Sequence, residues 1–354
     1  MELALEWGFF AGKILLLFGL AFGAVAPLMV WVERRVCAFI QDRVGPNRVG
    51  PLGLLQTLAD GIKLLLKEDL RPREVRPYFF ILAPILSVIP ATLAFAVIPF
   101  GPATTLGGLF DEPKRLQIAE LNVGFLYVLA ITSLGVYSLA LAGWASNNKF
   151  SVLGALRASA QMISYELAMG MAVVAVVLLS GSVDLVKIVE SQQNMWHVVP
   201  GILAFLVFLP AMFAETNRTP FDLAESEAEL VVGFHTEYSG MKFGLFFLSE
   251  YVNMTTVSAL CVLFFFGGWE LLPGFTWAQT GLDMNNLFIG FLPTLWFFAK
   301  VAFFMFLFVW VRWTLPRFRY DQLMHLGWKV LVPIGILNIV ITAVVLAFLN
   351  QGGV

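Results

Sequence analysis

Residues 214–240, AETNRTPFDLAESEAELVVGFHTEYSG, separate two long apolar runs, about 198–214 and 243–269. They set six acids (Glu215, Asp222, Glu225, Glu227, Glu229 and Glu237) against one base, Arg218. Charged residues make up only 13% of the chain, so a local excess of acid beside apolar runs stands out. Glu225, Glu227 and Glu229 line one face if extended; if helical, Glu225 and Glu229 share a face and Glu227 points away. Carboxylates crowded partly out of water do not all ionise easily, and such a cluster is expected to share its protons. Two readings stand: a solvated acidic loop that touches a partner, or a proton-handling segment. The interleaved Pro220, Phe221, Leu223, Leu230, Val231 and Val232 favour the second.

Working outward, the chain has 354 residues, 59% of them hydrophobic, and a mean hydropathy of +0.83. Apolar runs of about 18 residues or more read as bilayer spans. Eight are expected: about 9–31, 78–100, 121–143, 158–180, 198–214, 243–269, 287–311 and 328–349. The fold class is therefore an all-α polytopic membrane protein, with residues 1–354 forming a single membrane domain. The first run is too long for a cleaved signal and ends in Glu33-Arg34-Arg35, so it is expected to remain as a span.

Lys and Arg orient the spans. If segment 33–77 is cytoplasmic, 17 of the 22 basic residues fall on that side, four fall on the other, and Lys300 lies within a span. That bias places both termini outside. It leaves three notable cytoplasmic loops, 33–77, 214–240 and 312–328. Gly19 and Gly23 have the spacing of close helix contact. Residues 52–68, LGLLQTLADGIKLLLKE, alternate an apolar face (Leu55, Leu58, Ile62, Leu65, Leu66) with a polar one (Gln56, Asp60, Lys63, Lys67). This is the pattern of a helix lying in the membrane surface, either a plain anchor or the frame of an opening to the interior.

Inside the spans, Glu166 and Glu250 should lie at similar depth, with Glu166 roughly 13 Å into a helix that starts near Arg157. Buried ionisable groups of this kind usually face a cavity or a partner. Lys300 either pairs with one of them or, together with them, belongs to a proton relay. The span at 121–143 has no acid, so a relay there would use water or hydroxyls such as Tyr127 and Tyr137. The basic, aromatic stretch RWTLPRFRYDQLMHLGWK suits a docking face for a soluble partner. Cys37 and Cys261 form no CxxC pair, and no dinucleotide fingerprint, P-loop or clustered histidines are present. No metal site is expected, and any redox cofactor would belong to another chain.

Four blocks then carry a resemblance: ERRVCAFIQDRVGPNRVGPLGLLQTLADGIKLLLKED, GWASNNKFSVLGALRASAQMISYE, AETNRTPFDLAESEAELVVGFHTEYSGMKFGLFFLSEY and RWTLPRFRYDQLMHLGWK. Over nearly its whole length the chain resembles the H-type membrane subunits of bacterial NADH–quinone oxidoreductase, a family that also includes mitochondrial NADH dehydrogenase subunit 1. The resemblance implies a multi-pass subunit of the bacterial inner membrane. Its expected partners are peripheral-arm subunits that hold the terminal iron–sulfur cluster and the quinone head-group site, neighbouring small membrane-arm subunits, and lipid; no nucleic acid is expected. It implies quinone as substrate, flavin and iron–sulfur clusters in partner subunits, and no cofactor or catalytic residue in this chain. Carried over position by position, Glu33, Arg34, Arg43, Asp60 and Phe247 match the quinone passage. Glu166, Glu215, Glu225, Glu227, Glu229 and Glu250 match the carboxylates that couple quinone reduction to proton translocation. The alternatives are a homologous subunit of a hydrogenase-type complex and, without an inverted repeat to support it, a stand-alone proton-coupled transporter.

Overall fold

The computed structural model describes Gly12, Leu15 and residues 19–103, 115–224, 227–280 and 287–351. Among these residues six helices are long and apolar enough to cross a membrane. The chain is a multi-pass membrane protein, helical as the apolar runs require, because a lipid-facing backbone must satisfy its own N–H and C=O groups. The expected first span, 9–31, falls partly outside the described residues. Its described part is a π-helical turn, Gly19–Val25, running into helix α1, Ala26–Ile40. Gly19 and Gly23 have nothing near the position a Cβ would take, so the expected close helix contact there is absent among the described residues.

The expected in-plane helix is α2, Gln56–Leu66. Leu58, Leu65 and Leu66 are exposed. Its polar face is tied to α1: Arg34 donates to Asp60 at 2.5 Å, and Gln56 steadies the same carboxylate at 3.0 Å. Then come α3, Pro77–Ala96, and a span broken at Ser133 into α4, Gly124–Thr132, and α5, Leu134–Ala145. Asn147 takes a positive φ, and the Asn148 side chain accepts from Phe150 N–H at 3.0 Å, starting α6, Lys149–Ser180. Helix α6 begins about two turns before the expected start near Arg157. At 32 residues it is roughly 48 Å long, more than the hydrocarbon core.

Asp184 caps the short α7, Leu185–Glu190, and α8 follows at Ile202–Glu215. With 14 residues, α8 spans roughly 21 Å and ends short of a full crossing. The loop after it contains α9, Glu227–Leu230, and leads to α10, Gly240–Phe265, whose interior half is almost wholly buried. Two further apolar helices complete the bundle, α11 Leu287–Gly290 running into α12 Leu292–Thr314. Helix α13, Tyr320–His325, then passes through a π-helical turn into α14, Val332–Gln351.

The acidic loop is packed into the bundle and is not a solvated excursion. Phe221 stacks on Phe318 and tilts against Tyr165. Tyr238 lies flat on Phe80, with centroids 4.0 Å apart. A Cβ on Gly154 of α6 would sit 2.8 Å from Gly233 Cα, so only glycine lets the loop backbone come this close. Glu237 accepts from Asn148 at 2.7 Å.

Candidate functional site

A cavity of about 1400 Å³ opens between α1, α2 and α10. Its walls include Glu33 and Arg34 from α1, Arg43 from the turn that follows, Asp60 from α2, and Phe247 from α10. These are the five positions matched to the quinone passage, and the fold brings all of them to one volume. Apolar side chains of α2 (Leu58, Ile62, Leu65) line part of it, while Glu33, Tyr251 and Arg312 form a polar wall. Arg43 donates to Gln41 at 2.8 Å and to the Cys37 sulfur at 3.5 Å, which fixes its guanidinium at the cavity edge.

Behind the polar wall lies a charge cluster. Arg218 is 5% exposed, and its Nη1 donates to both carboxylate oxygens of Glu33 at 3.3 Å. The same guanidinium forms an ion pair with Glu250 and lies over the Tyr251 ring at 4.6 Å. Tyr251 donates its hydroxyl to Glu33 at 2.8 Å, and Arg312 pairs with Glu33 as well. Two acids and two bases thus balance in formal charge, with Glu33 and Arg218 buried and Arg312 partly exposed toward the cavity. Buried ions persist only when paired and hydrogen-bonded in this way. At the cluster's outer edge Asp222 accepts from Arg317 at 3.0 Å. Burial raises the Asp222 carboxyl above its ordinary value, against the opposing pull of Arg317, Arg312 and Arg218.

A second, smaller chamber of about 50 Å³ lies among α3, α4, α5, α6 and α10. Glu215, at the end of α8, and Glu250 both line it, with Thr132, Ser87, Ser249 and Asn253. Ser87 and Ser249 are hydrogen-bonded to each other. One oxygen of Glu215 is buried without a hydrogen-bond partner among the described residues. Glu166 is near enough to Glu215 for the two carboxylates to repel. Glu166, Glu215 and Glu250 are therefore brought into one neighbourhood. Glu229 is not among them: it is exposed and pairs with Arg157 at 2.5 Å. Glu227 opens α9, but its side chain, like the whole of Glu225, lies outside the described residues.

The chain is similar to NADH-quinone oxidoreductase subunits over 90–99% of its length. The sequence pattern of the NADH dehydrogenase family matches residues 12–343. The chain belongs to this NADH dehydrogenase family. It is 51% identical over 348 residues to an H-type subunit of the NADH-quinone oxidoreductase of Geobacter sulfurreducens, covering 98% of both chains. It is 50% identical over 359 residues to the corresponding subunit of Leptospira biflexa, covering 99% of this chain and 97% of that one. It is also 50% identical over 320 residues to the corresponding subunit of Cytophaga hutchinsonii, covering 90% and 91%. As a member of the NADH dehydrogenase family, it is a membrane subunit of an oxidoreductase complex.

Several expectations need correcting. Lys300 neither pairs with Glu166 or Glu250 nor joins them. Its ammonium donates to the carbonyls of Phe266, Gly268 and Glu270 at 2.8, 3.1 and 2.6 Å, capping the end of α10, and lies over the Trp196 ring. Tyr137 is 68% exposed on the outside of the bundle, so it does not reach the chamber; Thr132 does. In the 312–329 stretch, expected as a docking face, Arg312 and Arg317 are engaged within the chain, on Glu33 and Asp222. Arg218, Arg312 and Tyr251 were missed as site residues. The signal available was that Arg218 is the single base in the acidic loop. Among the described residues no group of three His, Cys, Asp or Glu side chains could hold a metal ion.

Proposed function

We propose that this chain is the subunit of a proton-translocating NADH:quinone oxidoreductase of a bacterial inner membrane that forms the quinone entry passage and passes the energy of quinone reduction toward proton-moving partners. The observation that carries the reading is the convergence of Glu33, Arg34, Arg43, Asp60 and Phe247, from three separate stretches of chain, on one cavity of about 1400 Å³. The cavity pairs an apolar side on the in-plane helix with a charged end, which suits an isoprenoid tail entering from lipid and a polar head group passing inward. Electrons would come from a cluster in a peripheral-arm subunit, and the quinone would take up two electrons and two protons there.

The charge cluster supplies the coupling element of this reading. Arg218 is shared between Glu33 on the cavity side and Glu250 on the chamber side. If the two protons are drawn from groups bordering the cavity, the negative charge left on those donors competes for Arg312 and Arg218, weakens the hold on Glu250, and shifts proton affinity in the Glu250, Glu215 and Glu166 group. A shift of one pKa unit is worth about 1.4 kcal/mol, so a few coupled carboxylates carry the few kcal/mol typical of linked sites. The acidic loop's Glu225, Glu227 and Glu229 would respond through loop movement. In the assembled complex, Glu33→Gln is expected to lower quinone reduction and proton translocation together. Unchanged values for both would remove the passage and cluster from the mechanism.

A further inference from the structure

Phe247 is the one side chain, among the described residues, that lines both the large cavity and the small chamber. Its place on α10 explains why. In a helix turning 100° per residue, positions three and four further on fall on either side of the line through residue 247. Glu250 faces the chamber and Tyr251 faces the cavity, so the ring at 247 stands between them. The ring is braced rather than loose. Phe243 lies 4.6 Å away, centroid to centroid, and the buried His235 ring lies edge-on at 6.2 Å.

On the chamber side the surroundings call for water. The chamber's volume of about 50 Å³ has room for roughly three or four water molecules. Glu215 is 6% exposed and has a carboxylate oxygen with no partner among the described residues, and a buried oxygen left that way is costly. Two volumes with polar walls therefore meet at the one side chain that lines both. The charged path around it, Glu33 to Arg218 to Glu250, transmits charge but not protons, because a guanidinium does not deprotonate in proteins. A proton moving from cavity to chamber needs water, and the place where the two volumes meet is Phe247.

We propose that Phe247 is a hydrophobic partition: at rest it keeps chamber water apart from the cavity, and when its ring turns it joins the two by a short water thread ending at Glu250. The proposal rests on the quinone-passage reading for what happens in the cavity, but the partition itself is a statement about access. The test is a thiol placed in the chamber by Asn253→Cys in the assembled complex, with a small methanethiosulfonate as the probe and site-resolved mass spectrometry as the readout. Adding Phe247→Ala should speed labelling of that thiol by about tenfold or more, since an open state that is minor at rest is populated at 10% or less. Phe247→Leu should give a smaller rise. Leu248→Ala, which widens only the large cavity, should give none. Phe247→Ala should also lower the number of protons moved per quinone reduced, a ratio that a merely slower enzyme would keep.

Labelling as fast with native Phe247 as without it, or an equal rise from Leu248→Ala, overturns the partition. The native Cys37, on the wall of the large cavity, separates the two claims. A quinone analogue that protects Cys37 while Phe247 variants change nothing upholds the passage and overturns the partition. No protection of Cys37 alongside a strong Phe247 effect overturns the passage and upholds the partition.

Discussion

The two ends of the bundle bury charge in opposite ways. At the acidic-loop end, Arg218 is held by the side chains of Glu33 and Glu250, each of which opens onto a cavity. At the far end, Lys300 is held by three backbone carbonyls at the end of α10. Nearby, Gln192 donates to the carbonyls of Ile188 and Leu263 and accepts from Gly267 N–H, tying the same corner together. Backbone acceptors cannot change protonation, so the hydrogen bonds that hold Lys300 are fixed, although the buried Glu270 carboxylate lies near enough to attract its ammonium. The carboxylates that hold Arg218 can change protonation, so the loop end is an arrangement that a nearby reaction can perturb. Buried charge by itself therefore does not mark a working site; the nature of its partners does.

This contrast can be broken most directly at Arg218. Arg218→Met leaves Glu33 and Glu250 buried without their shared cation, and removing one partner of a buried pair costs about 3–5 kcal/mol. The assembled complex should lose quinone reduction and melt earlier. Normal turnover would make the cluster mere scaffolding.

Acid sharpens the comparison next, because each end holds one buried histidine. Burial lowers both His235, in the acidic loop, and His197, at the far end, to about 4. The folded state therefore binds fewer protons than the unfolded state between about pH 6.5 and 4, and stability falls as the pH falls through that window. Each histidine contributes up to about 3 kcal/mol, fully present above pH 6.5 and lost toward pH 4. Acidifying one face of a vesicle should speed hydrogen exchange around 231–240 or around 192–201, but not both. Exchange at both segments, or at neither, would contradict the assignment of the two histidines to opposite faces.

The far end should yield a smaller and purely structural effect. Lys300→Met leaves three carbonyls short of a donor, a loss of about 1–3 kcal/mol. Thermal stability should drop while quinone reduction per assembled complex stays at the native level. A selective loss of proton translocation would instead make Lys300 part of a relay. Smallest of all is Glu229→Gln, which removes an exposed pair with Arg157 worth about 0.2–1 kcal/mol. Its melting temperature should hardly change, and a large shift would mean that the acidic loop has tighter ties than its exposed geometry gives it.

Six of the eight expected spans and the amphipathic helix α2 were legible in the sequence because local pattern encodes them. Leu58, Ile62 and Leu65 recur on one face whatever lies elsewhere in the chain. The meeting of Arg218 with Glu33, 185 residues away, leaves no local trace, so the hub of the site could not be read from pattern. Lys300 misled for the same reason: its partners sit on a turn about 30 residues back, and a lysine inside an apolar run looks alike whether it faces a carboxylate or a carbonyl. Helix α6 begins before the span expected from about Arg157, because basic residues signal where a membrane ends, which is not where a helix must end.

The most direct measurement is a density map of the assembled complex with a long-tailed quinone analogue bound. The account predicts the tail between α1, α2 and α10, against Leu58, Ile62, Leu65 and Phe247, with the polar end directed toward Glu33 and Tyr251. A tail bound elsewhere, with lipid filling this cavity, would contradict it.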